Sequence, residues 1–284
     1  MKKIFIAGAS GFIGKNLLSD LIRDNKIYIN RRDFKKLNKN VKDSKNLLVL
    51  NEESKKIKFD FLINCIANTN TKSLDWEVLH KSNCLTNIEL LENYNYSCFV
   101  YLSSFSVFSE NSIANKKPDP INTYGLSKYL SEKLVEQYCR KKSSAIILRL
   151  PLVIGKEKKQ EDLISYFYKK LSNSEDITLY ENGKYLRNIV HCNQVTKLIN
   201  IITSQNIFIN KINIYHINSS DLISVKDICY YMKVKIGSLS KIKSSNKKVH
   251  SDFDSMFLDN SRKLKGYKEL PIKKNIDIFI EEYL

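Results

Sequence analysis

The chain has 284 residues, of which 43% are hydrophobic, and a formal net charge of +17. A chain of this size and composition can bury a substantial core, which excludes an intrinsically disordered protein. The basic residues are spread along the sequence, in pairs such as Lys35-Lys36 and Lys158-Lys159, so we attribute the charge mostly to a general compositional bias that gives some help in binding anionic ligands, and we expect no nucleic-acid partner.

The first residues run from Met1-Lys2-Lys3 through a short apolar segment into a glycine loop. The apolar segment is too short for the core of a signal peptide, and no run in the sequence reaches the length of a membrane-spanning helix. We therefore expect a cytoplasmic protein with no membrane partner.

Short apolar runs alternate with amphipathic segments over the first half of the chain. The runs are continuous, as in strands covered on both faces, and span residues 3–7, 27–30, 47–50, 61–66, 98–102 and 145–150. Between them, apolar residues recur at helical spacing in residues 16–24, 77–93 and 127–141. This alternation predicts an α/β fold with a Rossmann-like, doubly wound parallel sheet.

After about Gly155 the pattern changes to lysine-rich helical segments such as residues 161–171, with one later strand-like run at 212–217. We therefore predict a dinucleotide-binding Rossmann domain over residues 1–155 and a smaller substrate-binding lobe over residues 156–284. The strand near 212–217 is expected to return to the main sheet. Ligands of such sheets bind at the carboxyl ends of the strands, where we expect the two lobes to meet.

Three of the eight glycines fall within seven residues, directly after the first predicted strand and at the start of the first helix. Glycine permits a tight turn there and lets backbone N–H groups approach a pyrophosphate, and the helix N-terminus favours the same anion. The G-x-x-G-x-x-G spacing thus predicts a dinucleotide site. The residues expected to bind the cofactor are Gly8, Ser10, Gly11, Phe12, Ile13 and Gly14.

The second predicted strand is followed by Arg31 and Arg32. An acidic residue at this point would bind the adenosine ribose hydroxyls of NAD, whereas arginine pairs with the additional phosphate of NADP. Two solvated arginines after a strand are the alternative interpretation. We predict NADP(H) as the cofactor, bound by these arginines, with NAD(H) as the alternative.

The pattern Tyr-x-x-x-Lys occurs six times, so the spacing alone carries little information; it begins at Tyr124, Tyr129, Tyr138, Tyr166, Tyr180 and Tyr231. Context selects Tyr124 and Lys128. The strand at 98–102 ends in Ser103-Ser104, at a carboxyl end where a site is expected, and Tyr124 and Lys128 lie at the start of the next predicted helix. Residues four apart lie on one helical face. We predict that Tyr124 is the proton donor, that Lys128 lowers its pKa and holds the nicotinamide ribose, and that Ser104 binds the substrate oxygen.

The six cysteines form no C-x-x-C pair, and the four histidines show no metal-ligand spacing. We therefore expect reduced, mostly buried thiols and no metal.

Taken together, the motifs resemble the extended short-chain dehydrogenases, the group of sugar-nucleotide epimerases, dehydratases and reductases. The likeness continues through residues 60–67, Asn83, residues 148–151, the segment that begins Arg187-Asn188-Ile189-Val190-His191 and a C-terminal segment at residues 258–264. The resemblance implies catalytic roles for Ser104, Tyr124 and Lys128. It further implies that Ala67 and Asn83 contact the cofactor, and that Phe105, Ser106 and Arg187 contact the substrate, with Arg187 on its diphosphate. The sequence leaves the oligomeric state open; because relatives often pair through the helices around Glu77 and Tyr124, a homodimer is compatible with the resemblance.

Departures from the family pattern narrow the reaction. Dehydratases carry Thr-Asp-Glu where this chain has Ser104-Phe105-Ser106, so water elimination lacks its acid and base. The Cys and His of the GDP-fucose type are missing as well. Many relatives have Asn in place of Leu152, and the segment after Arg187 has Asn188 and Gln194 where relatives have Asp.

Three functions follow from this reading. We predict NADPH-dependent reduction of a 4-keto, 6-deoxy nucleotide-sugar in surface-polysaccharide sugar biosynthesis, because Arg31 favours NADPH. The alternative is an NAD-dependent nucleotide-sugar 4-epimerase, which uses the same catalytic residues. A non-catalytic dinucleotide-binding regulator is the third, and the intact Ser104, Tyr124 and Lys128 set disfavours it.

Overall fold

The computed structural model describes residues 1–69, 75–109, 117–159, 161–205, 211–248, 264 and 266–284. The strands in these residues are β1 (Lys3–Ala7), β2 (Lys26–Ile29), β3 (Leu47–Val49), β4 (Lys58–Asn64), β5 (Asn95–Ser104), β6 (Ser144–Leu150), β7 (Leu152–Ile154), β8 (Ile177–Tyr180), β9 (Leu186–Arg187), β10 (Ile189–His191), β11 (Ile212–His216), β12 (Ile223–Ser224) and β13 (Ile242–Ser245). The helices are α1 (Phe12–Leu21), α2 (Arg31–Lys35), α3 (Lys39–Lys42), α4 (Trp76–Leu79), α5 (Thr86–Asn93), α6 (Thr123–Lys142), α7 (Leu163–Ser172), α8 (Cys192–Gln205), α9 (Val225–Ile236) and α10 (Ile272–Glu281).

Within the described residues, a parallel sheet of seven strands has the order β11-β6-β5-β4-β1-β2-β3. The chain builds outward from β1 in one direction through β2 and β3, and from β4 in the other direction. The strands β1, β4, β5 and β6 are almost wholly buried, which explains their continuous apolar runs. The predicted doubly wound sheet is confirmed, and its carboxyl edge at the switch point between β1 and β4 is where such folds bind ligands.

The segment predicted as one helix over residues 77–93 is interrupted. A π-helical turn, His80–Leu85, lies between α4 and α5. The hydroxyl of Ser131 on α6 donates to the carbonyl of Asn83 at 2.6 Å and so supports the widened turn. Single π turns occur frequently at functional sites, and this one contains Asn83.

The chain divides into two compact units. The first contains Met1–Leu150 and Val195–His216, with a short stretch that includes Leu264. It therefore holds the central sheet, including β11, which pairs with β6. The sequence placed the boundary at residue 155, whereas the units separate after Leu150. The assignment of a cofactor domain and a substrate lobe stays a prediction.

The second unit contains Pro151–Gln194, Lys268–Leu284 and, from Ile217 onward, the described residues 217–248. Its short strands pair as β7 with β10, β9 with β12 and β8 with β13. A core that includes Phe167, Met232 and Phe279 lies among α7, α9 and α10. The C-terminal motif noted in the sequence falls at residues 258–264, and all of it except Leu264 lies outside the described residues. Across the part of the chain described here, no helix is long and apolar enough to cross a membrane.

Candidate functional site

The glycine loop connects β1 to α1, as predicted. The N–H of Gly11 donates to the carbonyl of Gly8 at 2.9 Å and closes the turn. A Cβ atom at Gly14 would lie 2.1 Å from the carbonyl oxygen of Gly8, so only glycine permits this approach of helix to loop. The first turn of α1, which begins at Phe12, carries no acidic residue. Its N–H groups, including that of Ile13, are therefore suited to a cofactor pyrophosphate.

A carboxylate that the sequence interpretation missed lies against this loop. Asp33 is only 5% exposed, and its side chain accepts hydrogen bonds from the backbone N–H groups of Gly8, Ala9 and Ser10 at 3.0, 3.2 and 3.3 Å. The Ser10 hydroxyl also donates to it. Asn30 caps α2 by accepting from the N–H of Asp33 at 2.7 Å and donates to its carboxylate at 2.9 Å. The Asn-x-x-Asp spacing of this N-cap was the available sequence signal.

Arg31 and Arg32 lie in the first turn of α2, and both side chains are exposed. They follow the second strand as expected, but Asp33 rather than either arginine contacts the glycine loop. The position directly after β2 holds no acidic residue, and the first acidic residue that follows the strand is Asp33, in the first turn of α2. Binding of the NADP phosphate by Arg31 and Arg32 stays a prediction.

Ser104, Tyr124 and Lys128 come together at the carboxyl end of β5. Asn122 caps α6 by accepting from the N–H of Gly125 at 2.7 Å, so Tyr124 lies in the first turn of the helix. The side chain of Ser104 lies close enough to the Tyr124 phenol to lower its pKa. Lys128 follows one turn later, and its side chain is buried together with that of Tyr124.

The electrostatics of this group differ from the prediction. Burial raises the pKa of Tyr124 to about 12, opposed by the Ser104 side chain. Burial lowers the pKa of Lys128 to about 7, opposed by the charge of Glu132. Lys128 is not among the groups that shift the pKa of Tyr124, and its ammonium donates instead to the carbonyl of Leu102 at 2.5 Å.

A buried ion pair lies directly beside the catalytic candidates. The side chain of Glu132 is fully buried, and Arg149 holds both of its oxygens at 2.9 and 2.7 Å. The hydroxyl of Ser103 donates to the same carboxylate at 2.5 Å. This network ties α6, β5 and β6 together next to Ser104. Its sequence signals were an arginine inside an apolar strand and a glutamate four residues after Lys128.

Asn83 is buried and its amide is fully engaged. It accepts from the N–H of Asn68 at 2.8 Å and donates to the Asn68 carbonyl and to Ser127 at 3.1 and 2.9 Å. It therefore fixes the segment after β4, where Ala67 is exposed, relative to α6. Direct contact of Asn83 and of Ala67 with the cofactor stays a prediction.

The turn after Ser104 contains the predicted substrate residues Phe105 and Ser106. Ser104 accepts from the N–H of Ser106 at 3.1 Å, and Phe105 is buried, with its ring 6.2 Å from that of His216 between centroids. A Cβ atom at Gly125 would lie 2.0 Å from the carbonyl oxygen of Ser106. The glycine after Tyr124 thus lets this turn lie directly against α6.

Arg187 belongs to the second unit. It ends β9, and its guanidinium lies 5.9 Å from the centre of the Tyr185 ring. The neighbouring Asn188, which stands where relatives have Asp, is buried and accepts from the N–H and the hydroxyl of Ser219, both at 2.9 Å. Contact of Arg187 with a substrate diphosphate stays a prediction.

A groove of about 760 Å³ lies away from these residues, at the amino ends of the strands. Four of its lining side chains are lysines, Lys58, Lys141, Lys142 and Lys211. None of the predicted site residues lines it.

The described cysteines are free thiols, five of them buried and Cys65 half-buried, as expected.

Comparison with known proteins places these features in a family. A model of the NAD dependent epimerase/dehydratase family matches residues 4–217. A dTDP-D-glucose 4,6-dehydratase of Dictyostelium discoideum is 27% identical, over 80% of this chain and 61% of that protein, so the match spans less than two thirds of the dehydratase. A putative UDP-glucose 4-epimerase of Methanocaldococcus jannaschii is also 27% identical, over 68% of this chain and 71% of that one.

Solved structures with the same fold cover 99% of this chain. A UDP-N-acetylglucosamine 4-epimerase from Methanobrevibacter ruminantium superposes with a TM-score of 0.83 at 17% identity, over 98% of its own chain. A UDP-glucuronic acid 4-epimerase from Bacillus cereus, in complex with UDP-glucuronic acid and NAD, does so with 0.80 at 17% identity, also over 98%. Since the family model covers well over half of the sequence, the chain belongs to the NAD dependent epimerase/dehydratase family, the extended short-chain dehydrogenases that its motifs resemble.

Proposed function

We propose that the protein is an NAD-dependent nucleotide-sugar 4-epimerase. The observation that carries this proposal is the meeting of the Ser104 and Tyr124 side chains at the carboxyl end of β5, with Lys128 one turn further along α6. Such a group serves oxidation and reduction at a hydroxyl-bearing carbon. The relatives described as UDP-sugar 4-epimerases support the substrate class and the position on the sugar.

The buried Asp33 supports NAD over NADP. Its carboxylate lies against the loop that starts the dinucleotide site, and an additional phosphate near it would suffer like-charge repulsion. The Bacillus cereus epimerase contains NAD. Bound NAD would accept the hydride from C4 of the sugar and return it to the same carbon, so that no NAD is consumed.

In this proposal Tyr124 accepts the proton of the 4-hydroxyl. It returns the proton after the 4-keto sugar has rotated to present its opposite face to the nicotinamide. Ser104 holds the same oxygen in line. Lys128 holds the nicotinamide ribose and brings a positive charge into the buried site. Arg187 contacts the substrate diphosphate, and the first turn of α1 holds the cofactor pyrophosphate. Pairing into a homodimer stays a prediction.

A 4-ketoreductase that consumes NADPH is the second candidate, and the exposed pair Arg31 and Arg32 is the observation that favours it. Dehydration is disfavoured because the turn after β5 has Ser104-Phe105-Ser106, with no carboxylate to act as acid or base.

The experiment is incubation of the purified protein with NAD and, in turn, UDP-glucose, UDP-N-acetylglucosamine, UDP-glucuronic acid and dTDP-glucose. Proton NMR identifies a C4 epimer of any of them. We expect one substrate to approach an epimer equilibrium, and Tyr124→Phe to approach the same equilibrium far more slowly. No epimer in the panel, together with oxidation of NADPH by 4-keto sugar nucleotides, would favour the reductase.

A further inference from the structure

The ammonium of Lys128 is enclosed by two groups of β5. It donates to the carbonyl of Leu102 at 2.5 Å, and it lies 4.4 Å from the centre of the Tyr101 ring. Lys128 and Tyr101 are 2% and 1% exposed. Water is therefore excluded from this charge, and its stability depends on the groups that contact it.

The neighbouring carboxylate, that of Glu132, already has other partners. Glu132, one turn along α6, is paired with Arg149 and Ser103, and within the described residues Lys128 forms no ion pair. The other titratable groups that act on Lys128 are Cys84 in the π turn and Cys65 after β4. Burial raises the pKa of both thiols, that of Cys65 to about 12, so they remain neutral.

We propose that Tyr101 is a positioning residue for Lys128. The face of the Tyr101 ring keeps the Lys128 ammonium charged and directed toward the carboxyl end of β5. The proposal rests on the function proposed for Lys128 and goes beyond it. Tyr101 lies on the strand that ends in Ser104, so one strand holds both the substrate-binding hydroxyl and the support of the lysine. A ring face attracts a desolvated cation much more strongly than an exposed one.

This support matters because burial brings the pKa of Lys128 down to about 7. Near that value a small change in the surroundings alters the protonated fraction strongly. Loss of the ring face removes a stabilising interaction of the charged form only. The pKa of Lys128 should then fall by about one unit, the equivalent of a desolvated cation–π contact.

The test is NMR of the cofactor-free protein with lysines labelled at ¹³Cε, in which the Lys128 resonance is identified by its loss in Lys128→Met. Its titration is compared in Tyr101→Leu, which lacks the ring, and in Tyr101→Phe, which keeps it. Phe99→Leu is the matched control: Phe99 lies on the same strand two residues earlier, is fully buried in the same core cluster and, among the described residues, has no cation over its ring. Tyr101→Met provides a second ring-free variant if Tyr101→Leu does not fold.

We expect the Lys128 midpoint to fall by about one pH unit in the ring-free variants and to stay near wild type in Tyr101→Phe and Phe99→Leu. An unchanged midpoint in Tyr101→Leu or Tyr101→Met would overturn the proposal. Because the readout needs no substrate, a shifted midpoint in a protein that epimerises nothing would leave the role of Tyr101 intact and refute the proposed function instead.

Discussion

The carboxylate of Asp33 accepts a hydrogen bond from the backbone N–H of Gly8 at 3.0 Å. This contact places a negative charge on the loop that starts the dinucleotide site. We therefore expect NAD to bind at least about tenfold more tightly than NADP, a difference of about 1.4 kcal/mol. Calorimetry with both cofactors measures the ratio.

Two variants separate the acid from the arginines that follow β2. Asp33→Asn keeps a hydrogen-bonding side chain but removes the charge, and should narrow the preference for NAD. Arg31→Ala should leave the preference in place. Tighter binding of NADP by the wild-type protein, lost in Arg31→Ala, would contradict this account and restore the NADPH prediction.

Tyr124→Phe removes the proton donor and little of the binding surface. Turnover should fall by about 10²–10⁴-fold, the range for general acid–base catalysis, with NAD affinity nearly unchanged. Steady-state kinetics and cofactor titration measure the two effects. Tyr129→Phe and Tyr138→Phe are controls on the same helix; Tyr138 donates instead to Glu92 at 2.6 Å. A dead Tyr129→Phe enzyme beside an active Tyr124→Phe enzyme would show that the wrong tyrosine had been selected.

Arg149→Leu leaves the fully buried carboxylate of Glu132 without its partner. The free energy of unfolding should fall by about 3–5 kcal/mol, the cost of breaking a buried ion pair from one side. Urea denaturation measures it. The double variant Glu132→Leu with Arg149→Leu removes both charges and should recover much of the loss. Equal losses in the single and double variants would mean that packing, not the unpaired charge, sets the cost.

Gly125→Ala places a methyl group 2.0 Å from the carbonyl oxygen of Ser106. The turn that follows Ser104 must then shift, and displacement of catalytic groups by about 1 Å costs on the order of 10²-fold in rate. Turnover should fall while the NAD affinity, which depends on the distant glycine loop, changes little. Gly237→Ala is the comparison: a Cβ atom there meets nothing within 4 Å, and although the left-handed φ of 69° costs stability, its turnover should stay near wild type. Wild-type turnover in Gly125→Ala would show that this turn does not align Ser104.

Arg187→Ala should weaken binding of the sugar nucleotide and leave the cofactor affinity intact. One charge-assisted hydrogen bond contributes about 1.5–3 kcal/mol, so the Michaelis constant should rise at least about tenfold. Separate titrations with NAD and with UDP detect which ligand is affected. A drop in NAD affinity alone would assign Arg187 to the other ligand.

The central sheet and the placement of Ser104, Tyr124 and Lys128 at the carboxyl end of β5 were predictable because they rest on local signals. Continuous apolar runs identified the strands, and the serines at the end of β5 selected Tyr124 from six equivalent patterns. The interruption of the helix around Asn83 was not predictable, because a single π turn inside a helix leaves the apolar pattern of the turns on either side nearly unchanged.

The charges of the site were harder to predict, since they depend on contacts between distant segments. Asp33 reaches the glycine loop only because α2 turns it back toward β1. The Lys128 ammonium bonds to Leu102 and packs on Tyr101, which lie 26 and 27 positions earlier in the sequence. Burial, which raises the pKa of Tyr124 and lowers that of Lys128, likewise follows from tertiary packing.

The most direct test of epimerisation is the fate of the hydrogen at C4. The nucleotide-sugar that the protein converts is prepared with deuterium at C4 of the sugar. It is then incubated with the protein and an amount of NAD far below that of the substrate. We predict that the C4 epimer retains the deuterium at C4 and that no net NADH accumulates. Loss of the deuterium to solvent, or conversion that requires NADPH in equal amount to the product, would contradict the proposed function.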